Sequence, residues 1–309
     1  MMRPLLSALA LGAASLALPS PAAASTCDEA CLLKLAEQVI VALAKQDYRK
    51  LPWADPVGYS ENGVRLMIGD AIWGSAVKMQ GRKAFAVADA ETGNVVWIGI
   101  LYDHDAPAFG GLRIKAPDGK IEEIEFIAAR KSLPIPFGDP AAYKVDASFA
   151  KPLAAGDKRS RERLVDVANA YLGTKQRNNG ALLAQFTPEC EFRENGLSVT
   201  NGTTGHALLA KGCEAQLKLG LYRPIERIRD RRFPVVDVDT GLVVAISVQD
   251  LPQKEARYRT TDGREVSIVE TTPMSNINIE LLRIVGDKVA RSEAVVVSQP
   301  LNMPSPWKK

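Results

Sequence analysis

The chain of 309 residues holds few side chains suited to covalent or proton chemistry: two histidines and four cysteines. His104 stands in Tyr102-Asp103-His104-Asp105, between two carboxylates that favour the imidazolium. It suits a general acid or an anion ligand; an exposed loop before Ala106-Pro107 is the plainer account. His206 precedes Ala207-Leu208-Leu209 and fits a helix start. Arg229-Asp230-Arg231-Arg232 is the densest charge run. In an unbroken strand Arg229 and Arg231 share one face, where they can hold a carboxylate or phosphate. The alternative is a solvated edge strand with Asp230 and Asp237 as partners. Cys27, Cys31, Cys190 and Cys213 allow three pairings; the reading adopted joins Cys27 to Cys31 and Cys190 to Cys213, one bridge in each half. No C-x-x-C or H-x-x-x-H spacing occurs, so no metal or other cofactor is expected. Nucleophile-elbow, P-loop, dinucleotide and H-E-x-x-H motifs are absent too.

Composition narrows the classes further. Apolar residues make up 46% and charged ones 24%, which suits a globular chain. Thirty-nine basic against 36 acidic residues give a formal charge of +3, too small and too evenly spread for a nucleic-acid partner. Residues 1–24 read as a signal peptide: Arg3, an apolar run from Leu5 to Leu18, then Ala22-Ala23-Ala24 as a cleavage site. The run is shorter than the ~20 residues needed to span a bilayer. A periplasmic or secreted protein is expected, with no membrane attachment after cleavage, and export permits disulfides.

The elements that must position these groups come in two copies. Glu61-Asn62-Gly63 recurs as Glu194-Asn195-Gly196, and Asp89 to Val96 recurs as Asp237 to Val244. Leu112-Arg113-Ile114 with Glu125 recurs as Leu282-Arg283-Ile284 with Glu293. Leu32, Leu35, Ala36, Val39, Ile40 and Leu43 share one helical face, with Thr26 and Glu29 as a capping box. Leu164, Ala168, Tyr171 and Leu172 do the same in the second copy. Hairpins follow, turning at Thr92-Gly93-Asn94, Asp118-Gly119, Thr240-Gly241 and Gly286-Asp287. Helices first and antiparallel strands after predict an α+β fold. The divisions expected are 25–131 for the first domain, a Pro-rich linker over 132–157, and 158–309 for the second.

The order of elements, with Ala54-Asp55-Pro56, Tyr59-Ser60-Glu61-Asn62-Gly63, Gly69-Asp70-Ala71-Ile72-Trp73 and Arg229 to Asp237, resembles the SnoaL-like, or nuclear-transport-factor-two-like, superfamily. More closely it resembles an exported two-copy family of unassigned function. The resemblance implies two tandem cone-shaped domains, each a curved antiparallel sheet wrapped around N-terminal helices. It implies a pocket for a small, partly apolar organic ligand in one or both cones. It places Glu61 and Glu194 at the general-base position of ketosteroid isomerase-like members. Tyr59, His104 or Arg229 would then steady an oxyanion, and Asn62, Trp73, Asn195 and Arg231 would contact substrate. A Glu-Asn-Gly turn is the structural alternative. Three functions stay open: a cofactor-independent isomerase, cyclase or lyase; a non-catalytic ligand-binding or protein-interaction module; and a purely structural, dimer-like module whose two copies pack sheet to sheet.

Overall fold

The computed structural model describes residues 26–131, 136–202, 208–268 and 272–307, with side chains omitted over 79–83. The expected leader, residues 132–135 of the linker, and His206 lie outside the described residues. The first half begins with helix α1 (Glu29–Ala44), then β1 (Trp53–Glu61), β2 (Val64–Leu66), the one-turn helix α2 (Ile72–Ser75), β3 (Ala76–Asp89), β4 (Asn94–Asp103), β5 (Ala106–Lys115) and β6 (Ile121–Ala129). The second half repeats the plan with α3 (Arg161–Arg177), β7 (Gln185–Glu194), β8 (Leu197–Ser198), α4 (Cys213–Leu219), β9 (Arg227–Asp237) and β10 (Leu242–Leu251). A small hairpin, β11 (Arg257–Arg259) and β12 (Glu265–Ser267), is inserted before β13 (Met274–Val285) and β14 (Lys288–Pro300). Asp28, not Thr26, caps α1, because its carboxylate is the group that reaches the Cys31 amide, at 2.8 Å. Ser160 caps α3 in the same way.

The two six-stranded sheets have matching orders, β2-β1-β6-β5-β4-β3 and β8-β7-β14-β13-β10-β9. They are antiparallel except where β1 joins β6 and β7 joins β14, which run parallel. The Glu-Asn-Gly triplets make that junction. Asn62 and Gly63 have φ of 48° and 79°, and Asn195 and Gly196 have 44° and 72°, the left-handed pair that Asn-Gly supplies to a tight hairpin turn. Each Asn side chain then extends the sheet. Asn62 donates to the Ala128 carbonyl and accepts from its amide, and Asn195 does the same with Val296.

Strand alternation gives each sheet two apolar faces. One face of each curls around its own helix. Leu32, Val39 and Leu43 of α1 pack on Trp97, Leu112 and Phe126. Leu164, Tyr171 and Leu172 of α3 pack on Phe192, Val243 and Leu282. The other faces pack against each other, Val96, Ile98 and Ile100 of β4 against Val244, Ile279 and Val295. The approach is close: a Cβ on Gly111 would stand 2.1 Å from Ile279. Each aliphatic side chain buried there contributes ~1.5–3 kcal/mol. Tyr143 and Phe149, from the segment expected to be a linker, are buried in this seam. The C-terminal segment crosses to the first half, where the Trp307 indole donates to Ser60 at 2.9 Å between the guanidinium groups of Arg65 and Arg113. Disulfides join Cys27 to Cys31 and Cys190 to Cys213. Among the described residues no helix is long and apolar enough to cross a membrane.

Candidate functional site

Strand register lets the two cone interiors be compared residue by residue. Across the first, Trp97 faces Leu112, Leu112 faces Phe126, and Phe126 neighbours Glu61. The same rung of the second reads Ala245, Glu280, Ala294 and Glu194. One rung on, Gly99, Gly110 and Ala128 correspond to Ser247, Asn278 and Val296. Beyond that, Leu101 and Ala108 correspond to Gln249 and Asn276. Register therefore sets Glu280, not Leu282, against Leu112, two residues from the match of the Leu-Arg-Ile motifs. The hairpin turn before β14 is tighter than the one before β6, and β13 against β14 carries a bulge at Arg283/Ile284.

Large apolar groups fill the first cone. The Trp97 ring lies over Gly99 and Gly110, at 2.5 and 3.1 Å from where their Cβ atoms would be. Trp73 is buried among Tyr48, Trp53 and Tyr59, all edge-on at 5.8–6.5 Å. Glu61 is buried and fully engaged. It accepts from Tyr59 Oη at 3.2 Å, from the Ile72 amide at 2.9 Å and from Arg130 at 3.0 Å. The expected hollow of this copy is packed with side chains.

The second cone differs where Trp, Leu and Phe give way to Ala, Glu and Ala. Glu280 accepts from Tyr171 Oη at 2.7 Å and from Ser292, both through Oε1; its Oε2 is buried with no partner among the described residues. Lys175 comes from the last turn of α3, its Nζ 5.0 Å from the Tyr222 ring centre and 5.5 Å from that of Tyr171. It makes no hydrogen bond or ion pair among the described residues, and neither do the Glu194 carboxyl, the Tyr222 hydroxyl or the Gln249 amide. Asn278 accepts from Ser247 at 2.8 Å and leaves its Nδ2 unused. Lys175, Gln249, Asn278 and Glu280 are 3%, 6%, 1% and 1% exposed, and Glu280 Oε2 is sealed from solvent altogether. Unpaired polar groups at such depth are costly.

Electrostatics follow from depth. Burial pushes the Glu194 carboxyl above its ordinary range, with Lys175 opposing and Glu280 adding. Burial, then Glu194 and Glu280, holds the Tyr222 hydroxyl well above its usual value, so it stays a donor near neutral pH. Tyr171 is held up by burial and Glu280. Burial dominates the ionisation of Glu194 and Tyr222, although by surface each is only half-buried.

The other expected residues lie elsewhere. His104 is exposed in the β4–β5 turn with φ of 53°, its Nδ1 3.0 Å from Asp103. It borders an open cleft of about 920 Å³ beside Ser75, Arg130 and Phe137, where Arg130 is already paired with Glu61 and Asp103. Asn62 and Asn195 commit their amides to backbone. Asp230 has φ of 52° at a bulge in β9, so the alternation expected of Arg229 and Arg231 is broken. Arg229 binds Asp250, Asp230 and the Met303 carbonyl; Arg231 binds Asn169, Gln176 and the Ile228 carbonyl. Among the described residues no cluster of His, Cys, Asp and Glu could hold a metal.

Lys175, Tyr222, Gln249, Asn278 and Glu280 were not singled out from sequence. The available signal was Asn276, Asn278 and Glu280 alternating with Ile277, Ile279 and Leu281. Residues 157–296 match a family model described as a domain of unknown function, DUF8021. The match falls on the half whose interior is polar. Among solved structures the chain is similar to AusH from Aspergillus nidulans, at 14% identity and TM-score 0.28, over 45% of this chain and 86% of that one. It is also similar to an NTF2-like protein from Cytophaga hutchinsonii, at 13% identity and TM-score 0.28, over 45% and 99%. No curated protein matches the chain.

Proposed function

We propose that this is an exported small-molecule protein whose ligand site is the interior of the second cone, with Glu194 as proton acceptor. The observation that carries the reading is a set of polar groups there with no hydrogen-bond partner among the described residues: Lys175 Nζ and Glu280 Oε2 from buried residues, the Glu194 carboxyl and Tyr222 Oη from half-buried ones. A ligand that pairs with them removes the cost of leaving them unmatched. A carboxyl raised by burial suits proton transfer near neutral pH. Lys175 and Tyr222 supply the donors that an oxyanion needs. In this reading Glu194 takes a proton from carbon beside a carbonyl, and Lys175 and Tyr222 hold the oxygen as it gains charge. The first cone, with Glu61 locked to Arg130 and its interior filled, serves as the packing partner. Two disulfides suit an oxidising compartment outside the cytoplasm.

Untargeted metabolite capture tests this. The wild type and Glu61→Gln are expected to retain the same small molecule, and Glu194→Gln to lose it. Equal capture by Glu194→Gln, or none by the wild type, would sink the reading.

A further inference from the structure

We infer that the second cone takes a neutral, polyhydroxylated small molecule bearing a carbonyl, the chemistry of a free aldose or ketose, rather than a partly apolar one. This rests on the reading of the second cone as the ligand site and narrows its ligand class. The concave faces of β10, β13 and β14 present Ser247, Gln249, Asn276, Asn278, Glu280 and Ser298. The first cone holds Gly99, Leu101, Ala108, Gly110 and Leu112 where this one has Ser247, Gln249, Asn276, Asn278 and Glu280, so those five polar residues belong to this copy and not to the fold.

The kind of group decides the kind of ligand. Glu280 Oε2 is a buried acceptor with no partner among the described residues, and the Gln249 amide, the Asn278 Nδ2 and the Tyr222 hydroxyl make no hydrogen bond among them. A hydroxyl both donates and accepts, so several hydroxyls satisfy amides and a carboxylate together. An apolar body would leave those groups desolvated and unmatched, which is how such sites reject analogues that lack hydroxyls. Charge narrows the class again. One ammonium, Lys175, stands near two carboxyl groups, Glu194 and Glu280. A ligand carboxylate would meet like charge on both, and a ligand cation would meet Lys175. A neutral carbonyl oxygen fits Lys175 and Tyr222.

Saturation-transfer NMR on the full chain tests this, using as probes D-glucose, D-fructose, D-xylose and D-ribose, with D-gluconate as the charged analogue and 1-tetralone as the apolar ketone. At least one neutral sugar is expected to bind saturably, with D-gluconate and 1-tetralone at least ten-fold weaker. Gln249→Met is expected to weaken sugar binding at least ten-fold. The Gln249 side chain makes no hydrogen bond among the described residues and its backbone pairing in β10 survives the change, so the variant's melting temperature should match the wild type. Lys175→Met, checked by the same melt, should weaken it likewise. Preference for 1-tetralone or D-gluconate, lost in Glu194→Gln, would overturn the ligand class and leave the site standing. Sugar binding unchanged by both Gln249→Met and Lys175→Met would overturn it as well. No saturable binding of any probe would also overturn the class; if metabolite capture were empty too, the site itself would fall.

Discussion

Glu125 of β6 accepts from both terminal nitrogens of Arg232 on β9, at 2.8 and 2.7 Å, and so ties the two sheets together across their shared seam. Arg113 adds a third hydrogen bond at 3.0 Å from within the first half. The carboxylate is buried, which alone would raise its pKa, but Arg232 and Arg113 outweigh burial and hold it below the usual range. Its contribution is therefore full above the unfolded value, near ~4.3, and is lost as pH falls through the folded value. Glu125→Ala leaves the partly buried Arg232 without its carboxylate and takes one of three partners from the buried Arg113, and should cost ~3–5 kcal/mol. Denaturant titration at pH 7 checks this, and the gap from wild type should shrink in acid.

The equivalent carboxyl of the second half has the opposite sign. Glu293 neighbours Arg193 on β7 as Glu125 neighbours Ser60 on β1. Burial pushes it up, and the Tyr143 hydroxyl and Arg193 only partly oppose. Its oxygens meet no hydrogen-bonding geometry among the described residues. Because the folded form holds this proton more tightly, stability falls as pH rises from the unfolded value through the folded one. Glu293→Gln removes that loss. Its melting temperature should exceed the wild type's at pH 8, by ~2–4 °C for each kcal/mol recovered, and match it at pH 4. A variant that melts lower at pH 8 would contradict the assignment.

Much of the fold could be read from residue order. The helix faces of α1 and α3 are those expected from 3.6-residue spacing, and Gly93, Gly119, Gly241 and Gly286 mark four hairpin turns. The parallel join of β1 to β6 was not legible, because it depends on Asn62 mimicking backbone across 66 positions. The site was harder still. Asn276, Asn278 and Glu280 read as the solvent side of a strand, since Ile277, Ile279 and Leu281 look like its core side. Back-to-back sheets reverse that logic: the aliphatic face meets the other sheet, and the polar face turns inward.

Cys190 and Cys213 tie β7 to the start of α4, closing a loop of 23 positions that borders the second cone. In the chain-entropy account such a bridge is worth ~3 kcal/mol. The double variant Cys190→Ser with Cys213→Ser should lose about that much in urea unfolding. Cys27→Ser with Cys31→Ser, spanning four positions, should lose less. Equal losses would mean that loop closure is not the source of the stabilisation.

Trp97 and Ala245 give the sharpest test of whether the second cone is hollow where the first is filled. They occupy the same rung of matching sheets, and the Trp97 ring covers Gly99 and Gly110. Trp97→Ala should empty a packed core and cost ~3–5 kcal/mol. Ala245→Trp should cost little if the second interior has room, whereas forcing an indole into a close-packed core costs ~1–3 kcal/mol or more. The same substitution should abolish small-molecule capture by occupying the space beside Glu194 and Glu280. Unfolding midpoints and metabolite capture on the two variants check both halves of the claim. A strongly destabilised Ala245→Trp would mean that the second cone is as full as the first and that its polar groups have no ligand to meet.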